Sequence, residues 1–318
     1  SHYVNHGYMP PIYPDDMYAP RDLERQYDKE VFSASVKDEF SLGNHQFTVG
    51  LNTELQQNKI GGWSFLIPAF SQINAGAFAY DKIQLNEKWL LHAALRMDYG
   101  RIKMKQYTDW FESEVTTNGQ THFEYLKRSE ELTRTFKSFT WSTGVNYNLE
   151  KFSLKANAGT SFRMPIAKEL ASNGVNYHYF RFEKGDPSLA AEQSYQLDLG
   201  LEWQDNKWSV QLSPFFNYFP NYIYLNPTSQ HDIYYGAGNQ VFEYEQSKVI
   251  RYGGELQTRY QFLKNLSGEI LVEYLYSEQL SGSKKGYTLP FSPPASVLLG
   301  LTYSPEIKNL RDSYLSLD

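Results

Sequence analysis

Tyr177-His178-Tyr179-Phe180 sets one imidazole among phenol and phenyl rings in a long polar stretch, with Glu183 and Asp186 close behind. Histidine is the commonest ligand for protein-bound transition metals and also ligates haem iron, and carboxylates complete such ligand sets. This group is equipped to contact a metal ion or a metal chelate, with His178 as the metal ligand and Tyr177, Glu183 and Asp186 beside it. The plainer reading of a lone loop histidine is a solvated surface residue. His231-Asp232 repeats the pattern in another polar segment, as do His2, His6, Asp15 and Asp16 near the start. His122 lies close to Trp110, Phe111 and Phe123, rings suited to a flat ligand or to packing of a loop on itself. His45 and His92 fall in a short turn and a strand and read as structural.

Arg163 opens the stretch that carries His178. It is placed either to anchor that loop through a bidentate pair with Glu169 or Asp186, or to cap carbonyls at a strand end. The structural role is the plainer one. Catalysis finds no support in these residues. There is no nucleophile elbow, no His-Glu-x-x-His run and no phosphate-cradling loop, and no strand sets a serine beside a histidine. The chain therefore reads as a non-enzyme.

The elements that must hold these groups show clearly on either side of them. After the loop, Tyr195, Leu197, Leu199, Leu201 and Trp203 alternate with Gln196, Asp198, Gly200 and Glu202. Successive side chains of a strand point to opposite faces, so one face is oily and the other carries ions and amides. The same alternation gives an outer set Trp89, Leu91, Leu95, Met97 and Tyr99 against Arg96 and Asp98. It also sets Tyr252, Leu256, Tyr260 and Phe262 against Arg251, Glu255 and Arg259. The phase of 72–85 is ambiguous. Soluble strands average about 5–6 residues, whereas these alternations run over roughly 12–16 residues, a barrel-strand length. A sandwich interior would bury those charged rows at large cost, but a wet or plugged bore accommodates them. Arg96, Asp98, Asp198, Glu202, Arg251, Glu255 and Arg259 are thus expected to line a lumen wall.

Connections alternate too. Short turns, such as Leu42-Gly43-Asn44-His45, Asn86-Glu87-Lys88, Leu149-Glu150-Lys151 and Ile307-Lys308-Asn309, recur at intervals of roughly 40–60 residues. Long polar segments at 60–72, 105–134, 163–192, 226–247 and 278–290 lie between them. Short turns on one side and long loops on the other match outer-membrane barrels. About twelve strands are expected, the first at 30–42, with residues 1–29 an extracellular loop segment and residues 30–318 a partial barrel.

Composition agrees. The 318 residues include 26 Tyr, 20 Phe and 6 Trp, an excess suited to aromatic girdles at two membrane interfaces. There is no cysteine, so disulfides, thiolate metal sites and cysteine nucleophiles are excluded. The net charge of -6, without a basic stripe, excludes a nucleic-acid footprint. No window approaches eighteen consecutive apolar residues, so no transmembrane helix is present, which a barrel does not need. The first residues carry no signal-peptide pattern and the last break off within an alternation, so the sequence reads as a piece of a longer chain.

Three matches, the first made of four short runs, carry a family resemblance. Ser161-Phe162-Arg163-Met164-Pro165, Lys168-Glu169-Leu170, Gly185-Asp186-Pro187-Ser188-Leu189 and Glu192-Gln193-Ser194 follow an "FRxP…EL", "GDPxL" and "E-x-S" order. Leu95-Arg96-Met97-Asp98-Tyr99 matches an "LRYD"-like strand, and Leu289-Pro290-Phe291-Ser292-Pro293-Pro294 an "lPfiPp" approach. In this combination and order the chain resembles the TonB-dependent receptors of Gram-negative outer membranes. The loop Asn173-Gly174-Val175-Asn176-Tyr177-His178 is closer in style to Bacteroidota and metal- or haem-type receptors. The resemblance implies a 22-stranded transmembrane β-barrel around an N-terminal plug, of which this chain covers about strands 9 to 20. It further implies outer-membrane lipid around the barrel and a TonB energy-transducing complex acting through a plug outside this sequence. A small metal-containing ligand, a metal ion or an iron or haem chelate, is the implied cargo. A passive porin-like channel is the alternative.

Overall fold

The computed structural model describes residues 2–6, 20–232, 238–305 and 313–317. In chain order the strands are β1 (His2–His6), β2 (Leu23–Leu42), β3 (His45–Gly61), β4 (Phe70–Gln84), β5 (Trp89–Met104), β6 (Tyr107–Thr117), β7 (Gln120–Ser129), β8 (Leu132–Asn148) and β9 (Phe152–Arg163). A short helix α1 (Ala167–Ala171) follows, then β10 (Asn173–Asn176), β11 (Arg181–Lys184), β12 (Glu192–Gln204), β13 (Trp208–His231), β14 (Gln240–Leu263), β15 (Leu266–Gln279), β16 (Ser296–Tyr303) and β17 (Leu315–Leu317). All but β6 and β7 belong to one 15-stranded sheet, whose path is β1-β2-β3-β4-β5-β8-β9-β12-β13-β14-β15-β16-β17. Neighbours on that path pair antiparallel. Among the described residues the path does not close, and β1 and β17 end it.

Register makes the two faces continuous. One row runs Val36, Leu51, Ala77, Met97 and Phe139 across β2 to β8. Farther along, Ala156, Leu199 and Leu201 share their face with Leu212, Leu256, Val272 and Val297. This settles the phase of β4, which sets Ile73, Ala75, Ala77 and Ala79 on the apolar face. The outer face is bare: Leu51 and Met97 are each 63% exposed. Rings mark both of its edges. Near the short turns lie Trp89–Tyr147 and Trp208–Tyr260, each pair with centroids 4.4 Å apart. At the other end lie Tyr195–Tyr218 and Tyr252–Tyr276. The two girdles are roughly eight to ten residues apart along a strand, the rise needed for an apolar band about 25 Å tall.

The short connections are as tight as expected. Gly43, at φ 63°, fills the first position of a two-residue turn between β2 and β3, where a side chain would be strained. The 307–309 turn lies outside the described residues. Three expectations change. β2 starts at Leu23 rather than at 30, and β1 pairs with its beginning. The 105–134 segment is a hairpin, β6–β7, turned by Asn118 at φ 52° and Gly119 at φ 79°. The 226–247 segment is largely strand, because β13 and β14 run on past the apolar band. A bulge between Phe219 and Tyr222 flips the phase of β13, so Tyr224 and Asn226 turn to the face of Glu245 and Glu243.

The buried core lies beside the long loops, on the polar side of the sheet. Ile102, Met104, Phe136 and Ile223 close on Ala167 and Leu170 of α1 and on Leu189. The face that α1 covers is therefore the inner one.

Candidate loop-borne binding site

The loop ends of the strands form a roof assembled from distant segments. Residues 62–69 continue the pairing with β2 by Trp63 N–H to Leu23 O (3.1 Å) and Ser64 N–H to Glu24 O (2.9 Å). Trp63, Phe65 and Leu66 are buried there. Phe65 stacks on Tyr107 of β6 at 4.5 Å, and Trp63 meets Tyr177 at 5.7 Å. The Trp110 indole N–H donates to Trp63 O at 3.2 Å. Val175, Phe182 and Val241 form a second small core beneath this layer.

Two buried arginines grip β10. Arg128 donates to Asn173 O and pairs with Asp109 at 3.0 Å; Arg25 donates to Val175 O at 3.1 Å and pairs with Glu24 at 2.5 Å. All four side chains are buried. A buried cation is tolerated only when paired and hydrogen-bonded, so each arginine fixes a strand carbonyl and its acid at once. Sequence reasoning missed all four. Arg25 and Glu24 fall in the expected 1–29 loop segment, and nothing in local spacing joins Arg128 to Asp109.

Arg163 clamps the neck of the loop. Nη1 reaches both Glu169 oxygens, at 3.0 and 2.8 Å, and Nη2 donates to Glu192 Oε2 at 3.1 Å. Glu169 Oε2 also accepts from the Ile166 amide at 3.0 Å, holding the start of α1. Glu169 is thus the anchoring partner. Asp186 does something else: it accepts from the Ser188 amide and hydroxyl at 2.8 and 2.6 Å in a local turn.

Glu183 is fully buried in β11 and is held by Lys168 at 2.6 Å, Arg181 at 2.8 Å and Asn176 at 3.0 Å. Burial would push its carboxyl up, but Lys168, Arg181 and Asn176 outweigh it and hold the group below the ordinary carboxylate range. Arg181 is itself stacked between Tyr179 at 4.8 Å and Phe242 at 5.1 Å. β11 completes the roof by pairing parallel with β14, Arg181 to Gln240 through Lys184 to Glu243.

His178 is exposed on the turn between β10 and β11, next to Tyr179 and Phe180, which are 68% and 78% exposed. Tyr177 is half-buried against Trp63. His178 and Glu183 therefore sit on opposite sides of the hairpin, one in solvent and one inside. His231 is exposed at the end of β13. His122 is exposed beside Glu124, and His2 beside Asp28. The side chains of His6, Asp15 and Asp16 lie outside the described residues. Among the described residues, no group of three His, Asp or Glu is arranged to hold a metal ion.

Below the roof, Arg96, Asp98, Asp198, Glu202, Arg251, Glu255 and Arg259 share the polar face of the sheet, opposite the exposed apolar one. Arg96 pairs with Asp98 through two hydrogen bonds of 2.8 and 2.5 Å and reaches Asn52 at 3.0 Å. Its guanidinium lies where a side chain on Gly76 would collide with it. Lys155 pairs with Glu202 at 2.7 Å, and Arg259 donates to Ser267 at 3.1 Å. Asp198 stands opposite Asn157, Arg251 opposite Asn217, and Glu255 opposite Ser213 and Glu273.

A family model described as "TonB dependent receptor-like, beta-barrel" matches residues 2–315. The chain belongs to that family. Its members are receptors and transporters of the outer membrane, not enzymes. Among solved structures, this receptor barrel is similar to a copper transporter, OprC, with TM-score 0.70 and 18% identity over 88% of this chain and 42% of that one. It is similar to a double mutant of the hemophore receptor HasR of Serratia marcescens in complex with its hemophore HasA and heme. There the TM-score is 0.62 at 15% identity, over 90% of this chain and 54% of that one. The FrpB iron transporter of Neisseria meningitidis (F3-3 variant) matches at TM-score 0.60 and 14% identity, over 90% of this chain and 42% of that one. At these identities the likeness is one of fold. The chain spans about half or less of the length of the structures it matches.

Proposed function

We propose that this chain is barrel wall and extracellular roof of a TonB-dependent outer-membrane importer whose cargo is a metal ion or an iron or haem chelate. The observation that carries the reading is the pairing of a lipid-facing band with a charged inner face under a roof locked by buried ion pairs. The names of the similar structures, which concern copper, iron and heme, support the same class of cargo. In this reading residues 1–29 are an extracellular segment, and residues 30–318 are a partial barrel together with the loops that roof it. A plug outside this sequence fills the bore and couples it to the TonB complex, while Arg96, Asp98, Glu202 and Arg259 give the plug polar contacts. His178, Tyr177 and His231 touch the ligand, and Arg163, Glu183 and Asp186 hold the loop that presents His178.

The test is uptake of labelled metal ions, siderophore chelates and haem by a strain lacking the full-length gene, complemented with wild type or with His178→Ala. Expected are loss of one of these uptakes in the deletion, rescue by wild type, and weaker rescue by the variant. Normal uptake of every compound in the deletion strain overturns the reading. Uptake that survives collapse of the proton-motive force assigns a passive channel instead.

A further inference from the structure

The outer face is not uniformly oily. On β2 to β4 the residues Ala34, Thr53 and Ala75 stand in one row, and Ala77 lies in the row below. Larger neighbours, Val36, Met97 and Phe139 among them, surround a trough of about 930 Å3 that is open to the lipid side. Lys137 lines one end of it. Toward the roof a second hollow of about 610 Å3 follows on the same strands, with Phe32, Leu55 and Ile73 on its walls, Arg101 and Lys103 at the β5 side and the carboxylate Glu30 at the far, β2 side.

The cations at this junction are unusual for an outward face. Arg101 pairs in register with Thr135, and Tyr99 with Lys137, so Arg101 and Lys137 are diagonal neighbours on β5 and β8. Diagonal neighbours in a sheet lie about 7–8 Å apart at Cα, within reach of long side chains. Both are exposed, and neither has a hydrogen-bond or ion-pair partner among the described residues. Lys103, by contrast, is paired with Glu131 at 2.9 Å. Two unpaired like charges side by side repel each other, and one anion between them relieves both. The level is that of Tyr99, the upper edge of the apolar band, where headgroups begin.

We propose that this groove binds one phosphorylated lipid of the outer leaflet, with its phosphate between Arg101 and Lys137 and an acyl chain in the trough. The inference rests on the outer-membrane reading, which makes this end of the strands extracellular. Charge and shape together commit the occupant. A neutral lipid leaves the two cations uncompensated, and free phosphate leaves the trough empty.

The experiment uses the full-length protein, extracted in mild detergent, stripped of lipid, and offered a phosphorylated acyl lipid, its dephosphorylated form, or inorganic phosphate. Native mass spectrometry counts what stays bound, and heat-modifiable gel migration reports whether each barrel is folded. Wild type is expected to retain one phosphorylated lipid. Arg101→Ala combined with Lys137→Ala lowers retention by about tenfold or more, because charge-assisted contacts are lost. Ala75→Trp, which fills the trough, does the same while keeping both cations. Lys127→Ala, at an exposed lysine of β7, changes nothing. The site is overturned if folded wild type retains no phosphorylated lipid, if the double variant retains as much as wild type, or if the dephosphorylated lipid binds equally well. A barrel that never folds in any membrane or detergent counts against the outer-membrane reading instead, and so keeps the two failures apart.

Discussion

Arg128 and Asp109 meet inside the roof at 3.0 Å, both buried, and Arg128 uses its other nitrogen on the Asn173 carbonyl. The pair thus ties the β6–β7 hairpin to β10 and fixes the height of the turn that carries His178. Removing one partner of a buried pair strands the other charge, at a cost of about 3–5 kcal/mol. Arg128→Ala is expected to leave the barrel folded while residues 173–184 lose protection in hydrogen exchange. Unchanged protection there would show that the other contacts of β10 suffice.

Glu183 makes the same region sensitive to acid. Its folded carboxyl lies below the ordinary range, so its contribution to stability is fully present above the unfolded value near about 4.3 and is lost as pH falls through the lower folded value. The β10–β11 hairpin is therefore expected to keep its exchange protection from neutral pH down to about 5, and to lose it only below about 4. Glu183→Gln should loosen the hairpin at neutral pH, since Lys168 and Arg181 lose their anion, and should flatten the acid transition. A variant that loosens with the same midpoint as wild type would assign the transition to another carboxylate.

Phe180 combines two unfavourable features: a left-handed backbone, φ 49°, and a ring that is 78% exposed. A non-glycine residue held there costs about 1 kcal/mol or more. If the hairpin presents His178 to a ligand as proposed, the neighbouring Phe180 ring is placed to share that contact, and the strain is the cost of its position. Phe180→Gly should raise the resistance of the hairpin to proteolysis and weaken ligand uptake at the same time. If resistance rises and uptake stays at the wild-type level, the ring is no part of the ligand contact.

What a single strand dictates could be read directly, and what two distant segments share could not. Leu197, Leu199 and Leu201 declare their face by period two alone, and register carries that face across the sheet. That the seven charges share the opposite, polar face follows from the same rule. The roof obeys no such period. Asn118-Gly119 is a strong hairpin signal, yet it sits among polar residues that also describe a loop. The phase flip at Phe219 and Tyr222 erases alternation just where β13 leaves the apolar band, so a long strand reads as a loop. Arg25 and Arg128 find their carbonyls 150 and 45 residues away, a distance that propensity does not report. His178 was legible as an exposed loop histidine, but that its neighbour Glu183 turns inward depends on Lys168 and Arg181 closing over it.

Leu199 and Asp198 are adjacent in β12 and point to opposite faces, about midway along the strand between Tyr195 and Trp203. They form a minimal test of which face meets lipid. An arginine on the lipid face near the bilayer midplane costs about 2–4 kcal/mol, while the same charge on the bore side stays solvated. In the full-length protein Leu199→Arg is expected to slow insertion and to reduce the heat-modifiable, folded fraction in outer membranes. Asp198→Arg should assemble as wild type does, although it reverses the charge facing Asn157. Equal assembly of the two variants would mean that the Leu199 face does not meet lipid, and a defect confined to Asp198→Arg would reverse the assignment of inside and outside for the whole sheet.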